Sequence, residues 1–313
     1  MKAFASLLLS AFLLMAGCSR QQVFRKTDLI GGENVSIVIV AENRAAAEVA
    51  IDEGMAEMRR IDAMTSLYRN DSELARINNT AATVPVKITP ELFALLQSAI
   101  EASKLTEGAS DITAGPLTIL WERRLGEGRV PADSEIKRVL PLVNVHNIYL
   151  EEKESTVFFR KPGMVLDLRR FEKGYALSRV AAMLRSRGMG NAMITVSQDL
   201  AALGRREDGK DWRVVLPDPR KSGKVLAVLD LSDRFLSTVN NGVIDPRTGT
   251  MPGIMRSVTV VGKQGERTPL LAAALFVAAP EHAAKISKQA GVEMILVDAQ
   301  GKVTSSSGLP LAN

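Results

Sequence analysis

The chain has 313 residues, of which 46% are hydrophobic and 24% are charged, the composition of an ordinary globular protein. Its formal net charge is only +5 and its acids and bases are interspersed, which excludes the basic footprint of a nucleic-acid-binding protein. Two histidines and one cysteine exclude a histidine-based metal centre, a catalytic triad and a disulfide framework.

The N-terminus has the pattern of an export signal. One charge, Lys2, precedes an apolar run over residues 3–15 that is roughly five residues too short to span a bilayer. This pattern predicts a signal peptide over residues 1–17. The small residues before Cys18 resemble a bacterial lipobox, and an ordinary secretory signal with a chance cysteine is the alternative. We therefore expect a lipid on Cys18 that anchors the chain to a membrane of the bacterial cell envelope, on the periplasmic side.

Periodicity and capping residues predict the first elements of the body. Residues 35–41 have the pattern of a strand, and Asn43 can cap the helix that follows. Four apolar residues fall on one face of that helix: Ile51, Met55, Met58 and Ile61. Thr89, followed by a proline, predicts the start of another helix, which ends before Gly108. Residues 109–111 then lie on a loop.

The middle of the chain continues the alternation of strands and helices. Short strands are predicted at residues 148–150 and 157–159, and a third strand at residues 165–168. A helix is predicted over residues 173–187, ended by Gly188. The pattern as a whole predicts an α+β fold.

Three separated segments carry the most specific motifs. They read SLYRNDSEL at residues 66–74, TEGASDITAGPL at residues 106–117 and VLDLRRFEKGYA at residues 165–176. In this order, and followed by IDPRTG at residues 244–249, they resemble the motifs of the ApbE-type flavin transferases, the FAD:protein FMN transferases. The resemblance implies the fold of that family, two fused sheet-and-helix subdomains, for residues 29–309. Residues 18–28 are then the lipidated N-terminus and a linker.

The resemblance also implies roles for single residues. Asp167 and Lys173 are the expected catalytic pair, since a lysine near a diphosphate neutralises the charge that develops when the bond between the phosphates breaks. A carboxylate at a strand end also needs a cation, so a purely structural salt bridge between these two residues is the alternative. The residues implied to contact FAD are Ile30, Tyr68, Ala109, Ser110, Asp111, Arg169, Arg170 and Ile244.

The chain departs from the family where magnesium is expected. The family's late helix carries an Asp and, four residues on, a Thr as metal ligands, and here Pro269 and Ala273 stand in those positions. Two arginines, Arg169 and Arg170, replace a pair of glycines. A guanidinium binds phosphate through two parallel hydrogen bonds, so these arginines can hold a diphosphate in place of the metal. Alternatively, they are solvated side chains in a site that binds no flavin.

Further departures surround these positions. Ser197 and Gln198 replace a pair of glycines, and the loop at residues 237–242 is shortened, so a loop that covers the flavin is expected to be missing.

Two functions remain in view. One is an exported transferase that cleaves FAD and attaches FMN to a Thr or Ser of a partner protein, such as a flavinylated membrane redox protein. The other is a catalytically degenerate flavin-binding or accessory lipoprotein of the same fold. The ordered motifs support the first, and the altered metal positions support the second.

Overall fold

The computed structural model describes residues 21–306, 308, 309 and 311. The predicted signal peptide and Cys18 lie outside these residues, so both stay predictions. Within the described part of the chain, none of the helices combines the length and the hydropathy that crossing a bilayer requires.

The described residues form thirteen strands and eight α-helices. The strands are β1 Gln22–Ile30, β2 Glu33–Ala41, β3 Val86–Lys87, β4 Ile148–Glu151, β5 Thr156–Phe159, β6 Ala192–Val196, β7 Asp199–Leu203, β8 Trp212–Pro217, β9 Val225–Leu231, β10 Arg234–Val239, β11 Met255–Gly262, β12 Glu293–Asp298 and β13 Val303–Ser305. The helices are α1 Arg44–Thr65, α2 Glu73–Thr80, α3 Pro90–Leu105, α4 Gly115–Gly126, α5 Asp133–Val139, α6 Arg169–Ser186, α7 Thr268–Val277 and α8 Pro280–Ala290. Short 3-10 turns cover Leu140–Leu142 and Val145–Asn147.

One large sheet organises the fold. Its eight strands follow the order β1-β2-β6-β7-β10-β11-β12-β13, and every neighbouring pair is antiparallel. Helices α1 and α6 pack on the half formed by β1, β2, β6 and β7, whereas α7 and α8 pack on the other half. This mixed architecture confirms the predicted α+β class, and the two sheet-and-helix halves share one continuous sheet.

The N-terminal edge of this sheet begins earlier than the sequence indicated. Residues 18–28 are predicted as a lipidated N-terminus and linker, but β1 starts at Gln22 and pairs along its whole length with β2. The linker prediction is therefore wrong for residues 22–28. Only Phe24 and Ile30 of this strand are buried, so its apolar pattern is too sparse to mark a strand in the sequence.

The two faces of the sheet are covered by different elements. Along β2, Ile37 and Ile39 join the core beneath α1 and α6, whereas Val38 and Val40 join the core beneath the hairpin of β8 and β9. This alternation with period two is typical of a strand that is buried on both faces. The helices are therefore held on one face of the sheet.

The predicted caps are confirmed. The Asn43 side chain accepts a hydrogen bond from the backbone N–H of Ala46 at 3.0 Å and begins α1. The Thr89 hydroxyl accepts one from the N–H of Leu92 at 3.3 Å and begins α3. The apolar residues predicted to share one face of α1 are all buried.

Residues 165–168 belong to no sheet, contrary to the strand predicted there. The side chain of Asn78 takes the place of a neighbouring strand. Its Nδ2 donates to the carbonyl of Leu166 at 3.0 Å, and its Oδ1 accepts from the N–H of Leu166 at 2.8 Å. The next residue, Asp167, donates its N–H to the carbonyl of Ile112 at 2.8 Å. Helix α6 then starts at Arg169, four residues before the predicted position.

Replacing Asn78 with alanine removes both partners of the Leu166 backbone, which is fully buried. A buried backbone group without a partner costs about 1–3 kcal/mol, so Asn78→Ala should lower the free energy of unfolding by about 2–4 kcal/mol. Urea denaturation followed by circular dichroism measures this change. Asn79→Ala is the matched control, because the neighbouring asparagine is exposed and its side chain bonds to no described residue. An equal effect of both variants contradicts the assignment.

Candidate functional site

A cleft of about 370 Å³ lies between the start of α6, helix α4, the loop at residues 109–114 and the loop at residues 242–251. Two smaller cavities, of about 160 and 220 Å³, adjoin it. Lys173 lines all three. The main cleft gathers most of the predicted site residues: Ala109, Ser110, Asp111, Asp167, Arg169, Arg170, Lys173 and Ile244. Ile30 and Tyr68 line the 160 Å³ cavity instead.

Asp167 is held by Arg169, not by the Lys173 expected from the sequence. The carboxylate accepts from the Arg169 backbone N–H at 3.1 Å and from its Nε and Nη2 at 3.0 and 2.8 Å. The hydroxyl of Thr118 on α4 donates to the same carboxylate at 3.0 Å. Burial favours the neutral acid, but the hydrogen bonds and charge of Arg169 outweigh it and hold the pKa of Asp167 below its usual range. Asp167 is therefore an ionised anchor.

Arg169 also closes a network at the rim of the cleft. Its Nη1 donates to the hydroxyl of Tyr68 at 2.8 Å and to Glu122 at 2.9 Å. The Tyr68 hydroxyl lies 2.6 and 2.7 Å from the two carboxylate oxygens of Glu122. The guanidinium carbon lies 5.3 Å from the centre of the Tyr68 ring, within cation–π range. These contacts fix the ring at the rim, while 60% of Tyr68 stays exposed.

Arg170, the next residue, has a different environment. Its side chain lines the main cleft and the 220 Å³ cavity. It makes no hydrogen bond or ion pair with any residue that the structure describes, and Asp167 and Asp199 act on it only through longer-range attraction. Burial lowers the pKa of the guanidinium from its usual value. A cation thus faces the cleft without a protein counter-ion in direct contact.

Lys173 forms an ion pair with Glu33, the first residue of β2. Ser197 donates a second hydrogen bond to Glu33. Burial opposes ionisation of Glu33, but the hydrogen bonds from Lys173 and Ser197 hold its pKa below the usual range. The structural salt bridge between Lys173 and Asp167, which was the alternative to a catalytic role, is therefore not formed: the two residues line one cleft with separate partners.

Residues 109–111 contribute backbone and one buried acid. Ala109 and Ser110 are both buried, and the N–H of Ser110 donates to the Thr106 hydroxyl at 3.2 Å. Asp111 accepts from the N–H and hydroxyl of Thr113 at 2.7 and 2.6 Å. Burial raises the pKa of Asp111. This acid therefore shapes the loop that lines the cleft.

Two further acids at the edges of the site are raised in pKa by burial. Asp199, in the 220 Å³ cavity, has a pKa of about 6. Glu172, in the 160 Å³ cavity, has a pKa of about 8, because burial is reinforced by the negative charge of nearby Asp62. Both groups are therefore destabilised in their charged forms.

The described residues do not fit a magnesium site at the position that the resemblance implies. Leu270 and Ala273 of helix α7 line the cleft, and Pro269 of the same helix lines the 220 Å³ cavity. None of these side chains carries an oxygen atom that could bind magnesium. Across the described part of the chain, no three His, Cys, Asp or Glu side chains are grouped so that they could hold a metal. The Arg170 guanidinium in the same cleft also repels a divalent cation.

Three site residues were missed from the sequence: Glu33, Thr118 and Glu122. Glu33 is a single acid at the start of a strand, and such a residue does not by itself indicate a functional site. Thr118 and Glu122 are four residues apart on α4, one helical turn, just after the motif at residues 106–117. That spacing was the one available signal.

Comparison with known proteins identifies relatives along most of the chain. The model of the ApbE family matches residues 32–296. FAD:protein FMN transferase of Haemophilus influenzae is 28% identical over 288 residues, which cover 84% of this chain and 83% of that protein. FAD:protein FMN transferase of Vibrio cholerae is 26% identical over 310 residues, 92% of each chain. The crystal structure of an ApbE protein from Thermotoga maritima superposes with a TM-score of 0.83, at 25% identity over 92% of this chain and 98% of that chain.

The raised pKa of Glu172 predicts a pH-dependent stability. Between about pH 5 and pH 8 the unfolded chain has released this proton while the folded chain retains it, so ionisation costs stability as pH rises. Glu172→Gln removes this cost. Its unfolding free energy relative to the parent should increase with pH, by at most about 1.4 kcal/mol per pH unit. Urea denaturation across this range measures it, with exposed Glu154→Gln as the control. A difference that does not vary with pH contradicts the assignment.

Proposed function

Because the chain belongs to the ApbE family, we propose that it is an FAD:protein FMN transferase that moves FMN from FAD to a Thr or Ser hydroxyl of a partner protein. The hydroxyl oxygen forms a bond to the phosphorus of the FMN half, and the bond from that phosphorus to the bridging oxygen breaks. AMP leaves with the electron pair, and the hydroxyl proton passes to solvent. No redox change is required.

The observation that carries this proposal is the cleft, which gathers motif residues from the segments at residues 106–117, 165–176 and 244–249. A main cavity with two adjoining ones suits an extended dinucleotide better than a compact ligand. The exposed ring of Tyr68 at the rim offers a face for a flat aromatic group. Lys173, at the junction of the cavities, offers a cation for the phosphates.

The partner protein is proposed on chemical grounds. A flavin fixed by a phosphoester cannot dissociate, so the acceptor is best explained as a redox protein that keeps its flavin, and a membrane redox protein suits an exported transferase. The alternative of a degenerate accessory protein requires FAD binding without transfer, so the same experiment separates the two.

Incubation of the purified protein with FAD and membranes from a strain that lacks this protein should release AMP, measured by chromatography. It should also produce a fluorescent flavin band that survives denaturing electrophoresis. Lys173→Met should reduce both signals by about 100-fold, the usual effect of losing one group that stabilises developing charge. Lys153→Met is the control, because Lys153 is exposed and does not line the cleft. FAD binding without AMP release or a labelled band refutes the transferase.

We also propose that the mature chain is exported and held at the membrane by a lipid on Cys18. The support is the apolar segment at residues 3–15 and the small residues before the cysteine.

Cys18→Ala should move the protein from the membrane fraction to the soluble fraction, because the acylated residue is lost. Fractionation of cells followed by immunoblotting measures the shift, and metabolic labelling with a fatty acid should mark the parent but not the Cys18→Ala variant. Ser19→Ala, which changes the next residue, should behave as the parent does. Unchanged membrane association and processing of the Cys18 variant would contradict lipidation.

A further inference from the structure

We propose that the guanidinium of Arg170 binds the diphosphate of FAD in this chain and takes the role that the resemblance gives to magnesium, so that nucleotide binding is independent of the metal. This inference rests on the proposed function, because it assumes that FAD enters the cleft.

The neighbouring arginine is not available for this role. The guanidinium of Arg169 already holds both carboxylate oxygens of Asp167, and its remaining nitrogen donates to Glu122 and Tyr68. The same local arrangement occurs at Asp245 and Arg247, where the arginine two residues on also bonds the acid through its N–H, Nε and Nη2. Arg169 is therefore part of the scaffold.

Arg170 has the opposite character. Its side chain has no hydrogen-bonding or ion-pair partner among the described residues, and it lines both the main cleft and the 220 Å³ cavity. Burial disfavours its charged form, so an anion in contact with it gains more than an anion beside a solvated arginine. The guanidinium presents two parallel N–H groups, which match two oxygens of one phosphate.

The surroundings of Arg170 favour this cation over a metal ion. Pro269 and Ala273 lie one turn apart on α7, and each lines a cavity that Arg170 also lines. All ten residues of α7 are buried, and the helix supplies no charged side chain. Gly174 brings α6 against the start of α7, because a Cβ there would lie 2.2 Å from the carbonyl of Gly265. The part of the cleft beside α7, where the family's metal is expected, thus contains a positive charge supplied by Arg170 of α6.

The test measures binding with two probes, FAD and riboflavin. The purified protein should bind FAD equally in EDTA and in magnesium. Arg170→Met should weaken FAD binding about 10- to 100-fold, the range for a lost hydrogen-bonded charge, and should leave riboflavin binding unchanged because riboflavin has no phosphate. Arg170→Lys should recover part of the loss. Arg160→Met, at an exposed arginine outside the cavities, controls for net charge, and thermal unfolding controls for folding.

The outcomes separate this inference from the proposed function. If the parent binds and cleaves FAD but EDTA abolishes binding, or if Arg170→Met binds FAD as the parent does, the inference is wrong and the transferase stands. An equal loss of riboflavin and FAD binding also overturns it, because the effect then lies in the shape of the cleft. If the parent binds no FAD under any condition, the proposed function is refuted, and this inference is refuted with it.

Discussion

The ion pair between Asp167 and Arg169 fixes the geometry on which the site depends. Its acid ends a segment that Asn78 holds in place of a strand, and its arginine begins α6. Through Thr118 and Glu122 the pair also joins α4 to this corner. Burying an ionised carboxylate without these donors would lower the folding stability by several kcal/mol. The ion pair therefore keeps Asp167 charged and holds the start of α6 in one position. Arg170 and Lys173 belong to the first turns of α6, so the position of the helix start places their side chains in the cleft.

This arrangement is a local motif that occurs three times among the residues that the structure describes. In Asp167-Leu168-Arg169, Asp218-Pro219-Arg220 and Asp245-Pro246-Arg247 the acid accepts the backbone N–H and two guanidinium nitrogens of the arginine two residues later. Because all partners lie within three residues, the motif forms with little loss of chain entropy. An arginine at that spacing from an acid is therefore a poor candidate for ligand binding, whereas the residue after it is not constrained in this way. The spacing alone distinguishes Arg169 from Arg170.

Local signals explain what the sequence predicted well. Asn43 and Thr89 cap their helices because a side-chain oxygen needs only its own neighbours to satisfy a helix start. The apolar residues around Asp167 predict a strand at residues 165–168, but the backbone partner of Leu166 is the Asn78 side chain of α2, which no periodicity reveals. Glu33 was missed for a similar reason, since its partner Lys173 is distant in sequence and the pair exists only once β2 lies beside α6. The motif series located most of the cleft lining, and the ion pairs within it depended on tertiary contacts.

The cleft and its two adjoining cavities concentrate ionisable groups whose charged forms the fold itself does not stabilise. Burial raises the pKa of Asp199 and Glu172 and lowers that of Arg170, so each of the three is shifted toward its neutral form. Elsewhere the chain pairs its charges, as at Arg60 with Glu57 and Glu91 on the surface. Groups that cost folding free energy persist where a ligand can relieve the cost, which makes such a cluster a marker of a binding site. A diphosphate would relieve the cost at Arg170 directly, and its negative charge would at the same time favour the protonated form of Asp199 in the adjoining cavity. Apolar α7 strengthens this effect, because its side chains supply no counter-charge at that wall of the cleft.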